Sequence, residues 1–320
     1  MILRLALTAV SEDCEIVVFL SAAAAAPRTK DPSCRRLQGA PPRHRQTFAV
    51  KAIRGDGHGG FSPGGLRDLD CLDACCGHPN VVQYLGVHLD RRTGDLFTFM
   101  ELAGASLRGR LTRQHSEAET RAYMRQLVGA AEWMHAAGVV HRHITPENIL
   151  VGPGGELRLC GFGMATTAAD PATEAYPDGD DVQLQYLSPQ QVLGTRYNSP
   201  AVDVWALGCV MAEPELLSGE PVIESGTEEK MMEEMEHLKF HFTWLDLDVF
   251  YNHFWLPELS QAGRELLFGL LRFDDDERLT AADALRHRWF KEEEEDGKAP
   301  AVAMAAEVEA EHPASAAAHD

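Results

Sequence analysis

His-Arg-His-Ile-Thr-Pro-Glu-Asn-Ile-Leu, at residues 141–150, is the stretch of this sequence that decides the fold. Four other segments follow it in order. They are Leu-Cys-Gly-Phe-Gly at 159–163, Tyr-Leu-Ser-Pro-Gln at 186–190, an apolar segment at 203–213 and a final segment at 276–290. One short motif of this kind is weak evidence, but five in this order and at this spacing exclude a chance match.

The pattern around these segments predicts strands first and helices afterwards. Residues 48–53 form a short β-type run that contains Lys51, and strand candidates follow at 81–85 and 96–100. Apolar residues recur at helical spacing in several later stretches, at 117–137, 202–213, 230–238, 260–271 and 280–287. This order is typical of an α+β protein with a small sheet lobe and a larger helical lobe.

The segment at 141–150 resembles the catalytic loop of Ser/Thr protein kinases, and 159–163 stands where that family has its metal-binding Asp-Phe-Gly. The later segments resemble those of cyclin-dependent-kinase-like proteins, especially the F-type members of plants. The resemblance implies a bilobal kinase-like domain over residues 47–290. It would have a truncated N-lobe sheet at about 47–102 and a helical C-lobe at about 103–290.

The segments outside 47–290 have compositions typical of disordered chain. Residues 1–46 are poorly defined and include a partly flexible basic arm, whereas 291–320 form an acidic, alanine-rich tail that we expect to be disordered. A signal peptide is disfavoured because Glu12, Asp13 and Glu15 interrupt the apolar run near the start.

Composition limits the partners and the compartment. The chain has 320 residues and a formal net charge of −20, which argues against nucleic acid as the main partner. No apolar stretch reaches the roughly 18 residues of a membrane-spanning helix, so we expect no membrane partner. The seven cysteines contain no C-x-x-C pair. We therefore expect reduced thiols and a cytoplasmic or nuclear protein.

The resemblance assigns a candidate ATP site. Lys51 matches the strand lysine that holds the α- and β-phosphates. Asp68 matches the helix carboxylate that pairs with this lysine, although it is one methylene shorter than the glutamate of the family. It either pairs with Lys51 or is an ordinary solvated helix charge. Met100 sits at the gatekeeper position, and the backbone groups of Glu101 and Ala103 would meet an adenine edge.

Most groups that perform the chemistry in this family are replaced. His143 stands at the position of the catalytic base, Thr145 replaces the lysine that contacts the transferred phosphate, and Gly161 replaces the metal-holding aspartate. Asn148 is the one Mg²⁺ ligand that remains, and a neutral amide alone holds Mg²⁺ weakly. No glycine-rich loop precedes Lys51. The family implies ATP and Mg²⁺ as cofactors, but we expect their binding to be weak or absent.

Three interpretations of function remain open. The chain is a catalytically inactive pseudokinase that binds unknown protein partners, an active Ser/Thr kinase with an atypical site, or a damaged relative without a stable role. Cyclin dependence is doubtful because residues 61–68 match the cyclin-binding helix of the family poorly. In the activation segment, Asp178 could replace a phosphothreonine as the partner of Arg142, or it could lie in a solvated turn.

Overall fold

The parts of the chain described by the computed structural model are residues 14–20, 47–54, 60–61, 63–91, 93–110, 115–167, 183–194, 198–213, 230, 233 and 259–291. Several sequence predictions fall outside them, namely the basic arm within 21–46, most of the helix at 230–238, the acidic tail from 292 onward and the role of Asp178. Within the described residues, no helix is both long and apolar enough to cross a membrane.

A four-stranded antiparallel sheet forms the first lobe of the described chain. In the order of the sheet, its strands are β1 (Cys14–Leu20), β2 (Thr47–Ile53), β4 (Leu96–Glu101) and β3 (Tyr84–Leu89). The register pairs Lys51 with Thr98 and Ala49 with Met100. Because directly paired residues project from the same face, these four side chains share one side of the sheet. Helix α1 (Pro63–Ala74) follows β2.

Strand β1 lies in a segment to which the sequence analysis assigned no secondary structure. It pairs with β2 along its whole length, from Cys14 opposite Ile53 to Leu20 opposite Thr47. The sheet therefore extends beyond the predicted start of the domain at Thr47. The residues of β1 favour a strand, but its pairing partner lies more than twenty residues away, so local patterning did not identify it.

Helices dominate the second lobe. They are α2 (Glu117–Ala136), α3 (Pro189–Val192), α4 (Ala201–Met211), α5 (Gln261–Leu270) and α6 (Ala281–Leu285). Ser116 and Glu119 form a capping box that starts α2. Helix α4 is buried from Val202 to Met211, so it lies in the centre of the lobe.

Two groups of polar contacts connect these helices. The Glu117 carboxylate accepts hydrogen bonds from Ser260 N at 2.9 Å, from Ser260 Oγ at 2.6 Å and from Trp289 Nε1. Arg278 Nη2 donates to Gln190 Oε1 at 3.0 Å. This hydrogen bond links α3 to the segment between α5 and α6.

Short strands and turns position the loop at 141–148. Strands β5 (Ala105–Ser106), β7 (Ile149–Val151) and β8 (Leu157–Leu159) form one small sheet, and β6 (Val139–Val140) pairs with β9 (Thr166–Thr167). Single 3-10 turns occur at Arg108–Arg110, Pro146–Asn148, Phe162–Met164, Leu184–Tyr186 and Arg288–Phe290. The loop therefore runs from β6 to β7 and is anchored at both ends.

Candidate functional site

A buried carboxylate from α4 holds the backbone of the loop at 141–148. Asp203 accepts hydrogen bonds from His141 N at 2.8 Å and from Arg142 N at 2.7 Å, and it contacts His135 Nε2 at 2.9 Å. Arg142 has a φ of +64°, a left-handed conformation that costs a non-glycine residue roughly 1–2 kcal/mol. The Asp203 bonds offset that cost and keep the loop in this shape.

His143 is a neutral side chain that is bonded to its own loop. Asn148 Nδ2 lies 3.2 Å from His143 Nδ1 and donates to His143 O at 3.0 Å. Since an amide nitrogen only donates, Nδ1 is the acceptor and the ring proton is on Nε2. His143 Nε2 is buried and has no partner among the described residues. Burial lowers the pKa of His143 to about 4, helped by the nearby His141 and opposed by Glu147.

The amide of Asn148 lies over Gly161. Gly161 has a φ of +80°, and an ideal Cβ there would lie 2.8 Å from Asn148 Cγ and closer still to Oδ1. Gly161 carries no carboxylate, and the Asn148 amide fills the space that a side chain at position 161 would need. Mg²⁺ requires several oxygen ligands in octahedral geometry, and of the predicted pair only the Asn148 amide is present. These residues do not fit the metal.

Lys51 and Asp68 form the predicted ion pair. Lys51 Nζ lies 2.9 Å from Asp68 Oδ2, and the Asp68 side chain is only 4% exposed. Asp68 lies on α1, which packs against the turn Phe162–Met164. The shorter side chain of aspartate therefore still reaches the lysine, and the pair holds α1 against the sheet.

Cys160 connects this ion pair to the loop at 141–148. Its backbone amide donates to Asn148 O at 2.9 Å. Burial raises the pKa of the Cys160 thiol to about 12, and the charge of Asp68 raises it further while that of Lys51 lowers it. The thiol therefore lies near both members of the ion pair. Cys160 thus lies between Asn148 of the loop and the Lys51–Asp68 pair of the first lobe.

The part of the candidate ATP site at Met100 and Ala103 is apolar. Met100 is buried opposite Ala49, Ala103 is buried and Leu102 is exposed. The Glu101 carboxylate is turned away to Gln83 N, at 2.9 Å, and to Arg158, at 3.0 Å. The Glu101 side chain therefore has a structural contact of its own. The backbone groups of Glu101 and Ala103, which the sequence analysis assigned to adenine, belong to this segment.

The family is decided by comparison with known proteins. A family model described as "Protein kinase domain" matches residues 38–290.

The chain belongs to the protein kinase family.

The match begins before the predicted start at Thr47 and ends at the predicted Phe290. The predicted resemblance is confirmed.

Plant cyclin-dependent kinases are similar to this kinase-family chain. Putative cyclin-dependent kinase F-2 of Oryza sativa subsp. japonica is 36% identical over 282 residues, which cover 77% of this chain and 83% of that protein. Cyclin-dependent kinase G-2 of Oryza sativa subsp. indica is 30% identical over 260 residues, which cover 73% of this chain but only 36% of that protein.

A solved structure has the same fold. It is a chain from the structure of the CAK complex of Chaetomium thermophilum bound to ATP-γ-S. The TM-score is 0.67 at 24% identity, with 87% of each chain covered. The α+β kinase fold predicted from the sequence is therefore confirmed.

Sequence reasoning missed two residues beside the predicted site and one contact within it. Leu150 and Cys160 are partly buried side chains packed against the core beside the predicted site residues. Their positions directly after the Asn148 motif and directly before Gly161 were the available signal. The contact from Asn148 to His143 had no signal in the sequence, because motif spacing does not specify the direction of a side chain.

We predict that His143 makes the stability of the kinase domain fall in mild acid. In the unfolded chain its pKa returns to about 6.5, whereas the folded value is about 4. The unfolded state therefore binds a proton first, and up to about 3 kcal/mol of stability is lost as the pH falls from 6.5 to 4. Urea unfolding at several pH values measures this. His143→Gln should have a flatter profile over that window, and identical profiles would contradict the prediction.

Proposed function

We propose that this kinase-fold protein transfers no phosphate and acts by binding protein partners. The arrangement of His143, Asn148 and Gly161 carries the proposal. A neutral imidazole bonded to Asn148 cannot supply the negative charge that orients an attacking hydroxyl. Of the two metal ligands of the family only the Asn148 amide oxygen remains, because position 161 has no carboxylate. Base and metal site are thus lost together.

The same residues support weak or absent binding of MgATP. The triphosphate of a nucleotide needs cations or backbone amides around it. The lysine of the family is replaced by Thr145, which is fully buried, and no glycine occurs before Gly39. Of the predicted site residues, Lys51 alone is a cation, and it is paired with Asp68 at 2.9 Å.

We expect no phosphotransfer by the purified protein above that of its Lys51→Ala variant. The groups that His143, Thr145 and Gly161 replace act together on one transition state in this family. Without them, Lys51 alone is not expected to support phosphoryl transfer. Transfer of radiolabelled phosphate to a generic Ser/Thr substrate measures this. Activity in the parent protein that disappears in Lys51→Ala would reject the proposal.

We expect millimolar MgATP to leave the melting temperature unchanged. A ligand present at 100 times its dissociation constant adds about 2.7 kcal/mol of stability, which a thermal melt detects easily. ATP without Mg²⁺ and adenosine with Mg²⁺ are the matched controls. A rise that needs both ATP and Mg²⁺ would contradict the expectation. A single sharp melt would also reject a damaged relative without a stable role.

An active Ser/Thr kinase with an atypical site is the second candidate function. The observations that favour it are the Lys51–Asp68 ion pair and the intact Asp203 contacts to the loop. The similar plant proteins are also called cyclin-dependent kinases. The phosphotransfer assay against Lys51→Ala separates the two candidates.

A protein partner is part of the proposal, but its identity stays open. The names of the similar proteins make a cyclin the first partner to test. The poor match of residues 61–68 to a cyclin-binding helix keeps cyclin dependence doubtful. We also propose the cytoplasm or the nucleus as the compartment.

A further inference from the structure

Helix α2 holds the end of the domain through a row of arginines and aromatic rings. The guanidinium carbon of Arg121 lies 5.2 Å from the centroid of the Trp289 ring, and that of Arg125 lies 5.3 Å from the centroid of the Phe290 ring. Arg125 Nη2 also donates to Phe290 O. Both rings are buried. The last residues before Lys291 therefore run along α2 in the direction from Arg121 to Arg125.

The same row of α2 continues into an exposed apolar surface. Side chains four residues apart form a ridge on a helix, so the row that contains Arg121 and Arg125 goes on to Gly129 and Trp133. Trp133 is 43% exposed, and it is the largest of the exposed apolar side chains in the described part of the chain. The domain therefore ends on a ridge whose next large side chain is apolar and open to solvent.

The Trp133 ring is fixed in position. Its Nε1 donates to Cys75 O at 3.2 Å, and the His78 ring lies against it with the two ring centroids 5.8 Å apart. The polar group of the indole is therefore bonded, and the rest of the ring is a preorganised apolar surface.

Gly129 leaves the helix bare beside this ring. A glycine inside a helix is about 1 kcal/mol less favourable than an alanine. An ideal Cβ at position 129 would meet no described atom within 4 Å. The packing of the described residues therefore gives no reason for a glycine here. A glycine is favourable where another segment of chain approaches the helix closely.

The chain supplies an apolar segment that reaches this ridge. Among residues 292–320, which follow the last described residue, the only large apolar side chains are Val302, Met304 and Val308. From Arg125 to Trp133 the helix rises about 12 Å, at roughly 1.5 Å per residue. The stretch from Lys291 to Val302 spans well over that distance, since an extended chain covers about 3.3 Å per residue.

The acidic run at 292–296 does not suit the ring itself. Burial lowers the pKa of His78, and the nearby Glu132 carboxylate opposes this effect. A further carboxylate placed there would be repelled by Glu132. The first part of the tail that matches the surface is therefore the apolar stretch Ala-Pro-Ala-Val-Ala-Met-Ala-Ala at 299–306.

We propose that residues 299–306 dock on the ridge of α2, with Val302 and Met304 placed against Gly129 and Trp133. Methionine is suited to this place because its thioether adapts its shape and contacts aromatic rings favourably. The composition of the tail predicts disorder in isolation, and the ridge supplies the apolar partner that the tail lacks. For the rest of the tail the prediction of disorder stands. The inference goes beyond the proposed function and does not rest on it.

The test measures how open the Trp133 ring is to solvent in the full-length chain. The protein is labelled with 5-fluorotryptophan, and the Trp133 fluorine signal is identified by its loss in Trp133→Phe. A soluble gadolinium chelate then broadens the signals of exposed rings. The Trp133 signal should broaden less in the parent protein than in the variant that combines Val302→Asp with Met304→Asp, because the variant tail no longer covers the ring.

Val308→Asp is the matched control, because it adds the same charge to the tail outside the docking segment. It should behave as the parent protein does. Equal broadening of the Trp133 signal in the parent and the double variant, or equal loss of protection in Val308→Asp, would overturn the proposal. Protection that increases with protein concentration would assign the ridge to a second copy of the chain and would overturn it as well.

Gly129→Gln tests the same contact from the helix side. Glutamine is the better helix former, so this change should raise the melting temperature of the double tail variant. In the parent protein the rise should be smaller, because the new side chain also blocks docking. An equal rise in both backgrounds would contradict the docking of the tail. No outcome depends on phosphotransfer, so failure here is distinct from failure of the proposed function.

Discussion

Asp203→Ala is expected to lower the free energy of unfolding by about 3–5 kcal/mol, since it removes a buried charge that accepts several hydrogen bonds. The carboxylate is the acceptor for the backbone amides of His141 and Arg142, and both donors would stay buried without it. Arg142 would also lose the contact that holds its left-handed conformation. Urea unfolding at neutral pH measures the loss.

Asp70→Ala is the control for Asp203→Ala, because Asp70 is exposed on α1. Burial raises the pKa of the Asp203 carboxyl, but the hydrogen bonds and charges of His135 and His141 together outweigh burial, so the pKa lies below its usual value. The stabilisation from Asp203 is therefore complete above the unfolded pKa of about 3.9 and is lost as the pH falls through the lower folded value. Equal losses in the two variants at neutral pH would contradict the prediction.

Gly161→Asp is expected to destabilise the domain by about 3 kcal/mol and to create no Mg²⁺ site. The left-handed backbone at 161 accounts for about 1 kcal/mol. The rest comes from displacing the Asn148 amide, which costs its two hydrogen bonds to His143 and the packing around them. Thermal melts with and without Mg²⁺ measure both effects.

Gly94→Asp is the control that measures the backbone strain without the steric clash. Gly94 has the same φ of +80°, but an added Cβ there would meet nothing within 4 Å. It should cost only the backbone strain of about 1 kcal/mol. Equal losses in the two variants would mean that Asn148 moves aside freely.

The double variant that combines His143→Asp with Gly161→Asp tests whether the catalytic losses can be reversed. We expect it to remain without normal phosphotransfer, because Thr145 and the missing glycine-rich loop persist. Activity approaching that of an ordinary kinase would show that the N-lobe contributes less than we infer.

The sequence was most informative where a motif specifies both a residue type and its position in the fold. The motif around Lys51 indicated Asp68 as its partner, and the structure forms that ion pair. It was least informative for β1, whose strand depends on pairing with β2 across an intervening segment. Local residue preference is a weak guide when the partner is distant.

The sequence by itself determined the family, the order of the lobes and the identity of the missing chemical groups. Those properties depend on which atoms occupy the motif positions, and a glycine at 161 carries no carboxylate in any conformation. Only the tertiary structure decided where the remaining polar groups point. Arg108 meets Glu147 across 39 residues and Glu213 across 105, and Asn148 turns to His143 rather than outward. Such contacts follow from how separate elements pack, which no local spacing encodes.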